Sequence, residues 1–168
     1  METTTLSATT LLVKMAEMTV VKSTEKNPIR LKTTLGSCVG LILSDAKAGV
    51  HGLAHIMLPN QTGRDEVVGK YADTAIPALL DELKRKGCRK ENVEAFLVGG
   101  ARMFESGAGI GDIGKRNVEE TTRILGELGI PIVFDDAGGT AGRTIVFDGT
   151  TREVSVKTLK KLSYTKRS

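Results

Sequence analysis

Seven short extended runs constrain this chain more than any other feature: Met18 to Lys22, Val39 to Leu43, Val50 to Met57, Glu94 to Gly99, Pro131 to Phe134, Arg143 to Phe147 and Arg152 to Lys157. Several are rich in β-branched residues and bounded by glycine, aspartate or asparagine, the pattern of strands closed by turns. Two helical patterns lie among them. The first carries Val68, Tyr71, Ala72, Ala75, Ile76, Leu79, Leu80 and Leu83 at helical spacing and stops at Gly87, with Pro77 predicting a kink or a late start. The second runs from Arg116 to Leu128, with Val118, Thr122, Leu125 and Leu128 on one stripe and Gly129 then Pro131 ending it. The hairpin-like segments predict antiparallel or mixed sheets, and the strand, helix, strand unit from Glu94 to Phe134 adds parallel character. The expected class is α+β: mixed, largely antiparallel β-sheets packed as a sandwich with helices outside. No repeat or linker divides the 168 residues, so residues 1–168 are expected to form one domain.

Charge and apolar content exclude several partners. The net charge of +4 is spread along the chain except for a basic tail from Lys157 to Arg167, and only 4% of residues are aromatic, so few rings could stack on bases. Nucleic-acid binding is not expected. No run reaches the roughly 18 apolar residues a membrane span requires, and the N-terminal segment lacks the basic start and apolar core of a secretion signal. A cytoplasmic protein is expected, with no membrane insertion.

The chemistry-bearing residues concentrate in Leu35-Gly36-Ser37-Cys38-Val39-Gly40 and in Val50-His51-Gly52-Leu53-Ala54-His55. Two cysteines fifty positions apart do not make a disulfide framework, so Cys38 and Cys88 are expected as free thiols. Cys88 reads as a small residue at a helix exit, its pKa somewhat lowered by basic neighbours. His51 and His55 would share one face of a strand roughly 13 Å apart, too far to hold one metal ion, so neither metal nor cofactor is expected. A glycine turn presenting a thiol beside a histidine on the next strand can generate a thiolate and turn backbone N–H groups toward an oxyanion. From spacing alone, however, Cys38 reads first as a small buried hydrophobe and His55 as a core histidine. A second glycine cluster, Gly109 to Lys115, has phosphate-loop spacing, but no strand runs directly into it and Arg116 stands where a magnesium-binding hydroxyl belongs. A loop leading into the second helix is the better reading.

Larger blocks of sequence change the weight on Cys38. Thr34-Leu35-Gly36-Ser37-Cys38-Val39-Gly40 and Gly52-Leu53-Ala54-His55-Ile56-Met57-Leu58-Pro59 open a series of motifs. Lys70 to Pro77, Gly99-Gly100-Ala101 with Met103-Phe104, Ile113 to Asn117, and Ala137-Gly138-Gly139 with Gly142-Arg143 continue it in order. Together they resemble the CheD family of chemoreceptor glutamine deamidases, over roughly Met18 to Lys157. The resemblance implies a fold similar to that of bacterial toxin Cys/His deamidases. It also implies protein-glutamine glutaminase activity: hydrolysis of glutamine side-chain amides in the cytoplasmic helices of chemoreceptors, in chemotaxis adaptation. Cys38 would be the nucleophile and His55 the general base, without a cofactor. Receptor methylesterase activity and binding of a CheC-type response-regulator phosphatase are further implications. The alternative is a regulatory module that binds this phosphatase and receptors with little or no turnover.

The family's third catalytic residue is a threonine six positions before the cysteine, where this chain has Lys32 followed by Thr33 and Thr34. In a regular strand Thr34 would share the face of Cys38 and Thr33 would point away, so Thr34 is the expected third residue. A bulge, a hydroxyl supplied from elsewhere, or reduced activity are the other outcomes. Asn117 is expected to cap or brace the second helix. Arg143 would either hold a turn or face an acidic receptor surface, and the Gly107 to Gly114 loop is a candidate for substrate or partner contact.

Overall fold

The computed structural model describes residues 7–103 and 112–159. Among these residues it contains nine strands and two α-helices in the order β1 (Thr9–Leu12), β2 (Met18–Lys22), β3 (Ile29–Leu35), β4 (Val39–Asp45), β5 (Val50–Ile56), α1 (Ala72–Arg85), β6 (Val93–Gly99), α2 (Ile113–Leu128), β7 (Ile132–Ala137), β8 (Arg143–Asp148) and β9 (Val154–Thr158). The strands form two sheets, one of order β1-β3-β8-β9 and one of order β2-β5-β4-β6-β7. Pairing is antiparallel except for β1 with β3 and β6 with β7. The α+β sandwich expected from the sequence is the observed architecture.

Three layers follow from burial. Leu31 and Leu35 of β3 and Ile145 and Phe147 of β8 pack against Ile42, Leu53, Phe96 and Val98 of the five-stranded sheet. On the other face of that sheet Leu41, Leu43, Ala54 and Ile56 meet Ile76, Leu79, Leu80 and Leu83 of α1 and Leu125 of α2. Every residue of β4 and β5 is therefore buried, whereas β3 alternates between a buried and a solvent face. Continuous apolar runs belong to strands covered on both faces, and alternating ones to strands covered on one.

Seven of the nine strands lie where the runs predict them. The exceptions are β1 and β3, and β3 matters for the site. The first helix begins at Ala72 after a 3-10 turn over Val68–Lys70, with Pro77 in its second turn. The second starts at Ile113, where the Asp112 side chain accepts a hydrogen bond from the Lys115 amide, and ends at Gly129 in the left-handed region with φ 71°. Its fully buried residues are Gly114, Asn117, Thr121, Ile124 and Leu125, with Val118 and Leu128 of the predicted stripe packed against the same core; of that stripe Thr122 alone faces solvent. Cys88 is buried at the exit of α1 as expected. Its thiol, though, is pushed up to about 11 by burial and by the Asp45 carboxylate, the reverse of the predicted effect of its basic neighbours.

The layer between the sheets also holds His51, 1% exposed, with Nδ1 2.7 Å from Ser44 Oγ and its ring against Phe147. Burial, then the charge of Arg152, holds its pKa down at about 4. The unfolded chain keeps an ordinary value near 6.5, so acidification protonates the unfolded state first. Stability is expected to fall as pH drops from about 6.5 to about 4, by roughly 3 kcal/mol, and then to level off in this component. Urea unfolding across that range measures it, and His51→Gln should flatten the slope. An unchanged slope in the variant would assign the loss to other groups.

Candidate active site

The register of the β4–β5 ladder creates the site. Val39 pairs with Ile56 and Gly40 with His55, so Cys38, one residue ahead of β4, is the diagonal neighbour of His55. Such diagonal positions lie about 7–8 Å apart along the backbone, a gap that a thiol and an imidazole ring can close. Cys38 packs with the layer between the sheets, the face toward which His55 also projects. Gly40 is the residue directly across from His55, and its missing side chain is filled by Leu35. A Cβ there would come within 2.8 Å of Leu35 Cδ1.

The turn carrying Cys38 is fixed through three successive carbonyls. Gly36 O accepts from the Ala101 amide at 2.9 Å, and Cys38 O accepts from the Gly100 amide at 2.8 Å. Between them, Ser37 O accepts from Asn117 Nδ2 at 3.0 Å. Gly99 permits this approach, because with φ at 97° a Cβ would stand 2.5 Å from Cys38 O. The Gly99-Gly100-Ala101 motif is thus the backbone seat of the cysteine turn.

His55 is 3% exposed and held at both ends of its own backbone: its amide donates to Glu17 O and its carbonyl accepts from the Ala16 amide, each at 3.0 Å. Its ring orientation comes from Thr33. Thr33 Oγ1 lies 2.7 Å from His55 Nδ1 and donates to Val13 O at 2.6 Å. A hydroxyl has one proton, and a carbonyl oxygen can only accept. With that proton committed to Val13, Thr33 Oγ1 must accept from Nδ1–H, which leaves the lone pair of the neutral ring on Nε2.

Thr34, the expected third residue, is on the opposite face of β3. It is exposed, and its hydroxyl lies 3.0 Å from that of Thr144. Counting parity back from Cys38 presumes a continuous strand, but β3 ends at Leu35 and residues 36–38 form a bend. The alternation of β3 itself, with Leu31, Thr33 and Leu35 inward and Arg30, Lys32 and Thr34 outward, carries the correct face. Lys32 at the family's usual threonine position is exposed.

Both partners of the pair are neutral by preference. Burial pushes the Cys38 thiol above its ordinary 9.0. Burial holds His55 below its ordinary 6.5, opposed only in part by the Val13 backbone beside it. The environment therefore favours a thiol beside a neutral imidazole over a standing ion pair.

Asn117 is fully buried, and its Nδ2 donates to Met57 O as well as Ser37 O, at 3.0 Å each. It braces the ends of β4 and β5 against α2 and caps nothing, the cap being Asp112. Arg143 is 6% exposed and ion-paired with Asp136 at 3.2 Å, and it also donates to the Asp136 carbonyl. It holds the turn after β7, and the surface role considered for it is not observed. Residues 107–111 of the glycine loop and the tail beyond Leu159 lie outside the described residues.

The family model described as CheD chemotactic sensory transduction matches residues 57–158, and relatives align over more of the chain. The chain belongs to the CheD family. A protein of Methanococcus maripaludis (strain C6) named "Probable chemoreceptor glutamine deamidase CheD" is 43% identical over 136 residues, covering 80% of this chain and 86% of its own. One of the same name from Clostridium botulinum (strain Eklund 17B) is 40% identical over 150 residues, 86% of this chain and 90% of its own.

The two threonines separate experimentally. Thr33→Val keeps the volume and removes the acceptor for Nδ1–H, freeing the ring to turn or change tautomer. Iodoacetamide alkylation of Cys38 at neutral pH should slow by about tenfold or more, within the range ascribed to a positioned base. Thr34→Val should alkylate at the wild-type rate, and equal rates in both variants would remove Thr33 from the site.

Proposed function

We propose that this protein is a chemoreceptor glutamine deamidase with Cys38 as nucleophile, His55 as general base and Thr33 as the residue that orients the base. The observation that carries the reading is the chain of hydrogen bonds from His55 Nδ1 through Thr33 Oγ1 to Val13 O, which reserves Nε2 for the neighbouring thiol. The names of the relatives supply the substrate, a glutamine of a chemoreceptor. On the family resemblance, we take that glutamine to lie on the receptor's cytoplasmic helices. Among the described residues no helix is long and apolar enough to cross a membrane, so receptor helices would be met by a surface of this domain.

His55 Nε2 takes the thiol proton as sulfur attacks the side-chain amide carbon, and the carbonyl oxygen becomes an oxyanion facing the backbone amides of the cysteine turn. The imidazolium then returns its proton to the nitrogen, the C–N bond breaks and ammonia leaves a thioester. Water, deprotonated by the same Nε2, adds to the thioester. Collapse releases glutamate and restores the thiol. The same cycle hydrolyses a γ-methyl ester with methanol as leaving group, so receptor methylesterase activity belongs to the proposal. A CheC-type phosphatase as regulatory partner is added on the family resemblance alone.

Incubation with a receptor cytoplasmic fragment should raise its intact mass by about 1 Da per converted glutamine, the exchange of an amide NH2 for OH. Cys38→Ala should abolish the gain. A gain that survives the variant would sink Cys38 as nucleophile. The absence of any gain with wild-type protein, together with retained receptor binding, would establish the regulatory module. Since His55 must be neutral to act, kcat/KM should decline only below pH 6.5, as its depressed pKa is crossed.

A further inference from the structure

The buried stripe of α2 contains two polar residues where apolar ones would pack without cost. Asn117 and Thr121 are both fully buried, and neither Asn117 Oδ1 nor Thr121 Oγ1 has a hydrogen-bond partner among the described residues. An unpaired buried oxygen is destabilising, so packing does not account for Asn117. What the side chain does achieve is specific: both Nδ2 protons are spent on carbonyls, Ser37 O and Met57 O, that flank the catalytic pair.

The carbonyl of Ser37 and the amide of Cys38 belong to one peptide plane, and none of the described peptide bonds is cis. In a trans peptide the C=O and N–H point in opposite directions. Asn117 lies on α2, which packs on the helix-covered face of the five-stranded sheet. The Ser37 carbonyl therefore points toward the helix layer, and the Cys38 N–H points away from it. That is the side on which the Cys38 side chain packs and toward which the His55 ring projects. The neighbouring carbonyls of Gly36 and Cys38 are tied to Ala101 and Gly100, so Asn117 completes the fixing of the turn.

We propose that Asn117 is a positioning residue for catalysis: by holding the Ser37 carbonyl it aims the Cys38 amide at the oxyanion formed on the substrate, and by holding Met57 it keeps β5 in register with that amide. The inference rests on the deamidase reading above. An amide aimed in advance lowers the barrier only when charge has developed on oxygen, so its loss falls on kcat. The thiol's own reactivity does not depend on it, because alkylation by iodoacetamide develops no oxyanion.

The test compares Asn117→Ala, Thr121→Val and Cys38→Ala, using the cytoplasmic fragment of a chemoreceptor from the same genome. Asn117→Ala should lower kcat by about 10- to 100-fold with KM within about threefold, as expected for a misaimed oxyanion donor. Its Cys38 should alkylate at the wild-type rate with the wild-type pH profile. Thr121→Val, which removes a buried hydroxyl on the same helix face without touching either carbonyl, should turn over normally. A wild-type kcat in Asn117→Ala, or a kcat loss matched by an equal loss of alkylation rate, overturns the inference and leaves the deamidase reading standing. Turnover that survives Cys38→Ala removes that reading and the inference with it. If Asn117→Ala does not fold, wild-type protein decides. Its Cys38 amide proton should move downfield in 1H–15N NMR when butanal forms a hemithioacetal with the thiol, and an unmoved resonance overturns the inference.

Discussion

Everything in this domain is arranged around two adjacent strands that solvent does not touch. Strands β4 and β5 are buried on both faces, one against the second sheet and one against the helices. A strand covered on one face can slip by two residues and keep its buried set, but here every position is packed from both sides. That pins Gly40 across from His55, and with it the diagonal relation between His55 and Cys38, one residue outside the ladder. Cys38 gains the register of a strand while remaining on a turn, where it is only half-buried.

Much of this was legible in the sequence because it rests on local pattern. The apolar runs of β4 and β5, the helix stop at Gly129 and the glycine-flanked cysteine each declare themselves within a few residues. The threonine did not, although its signal was present. Ile29, Leu31, Thr33 and Leu35 alternate cleanly with Arg30, Lys32 and Thr34, which puts Thr33 inward whatever follows. Counting back from Cys38 crossed the bend at residues 36–38, where strand parity has no meaning. A side chain's face is inherited from the strand it sits in, and continuity with a neighbouring motif does not transmit it.

The second helix shows the other limit. Of the apolar stripe Val118, Thr122, Leu125 and Leu128 the helix packs all but Thr122, and it adds Asn117 and Thr121 to its fully buried set. Hydrophobic periodicity finds the apolar part of that face and is silent about the amide group it brings onto two carbonyls. Where a buried surface departs from the apolar rule, the departure marks the place at which the helix does more than pack. Only the carbonyl partners, sixty and eighty residues earlier in the chain, reveal what that is.

The hydrogen bond from Thr33 to Val13 ties His55 to a segment near the start of the described chain, and Asn117 ties the turn of Cys38 to a helix that follows β6. The surroundings of Cys38 and His55 are thus completed only after contacts spanning residues 13 to 117 have closed. During synthesis, a chain emerging from the ribosome holds its cysteine and histidine long before it holds the means to aim them. In the unfinished chain the thiol is neither buried nor beside its histidine, so Cys38 is an ordinary cysteine until the same long-range contacts bring the two together.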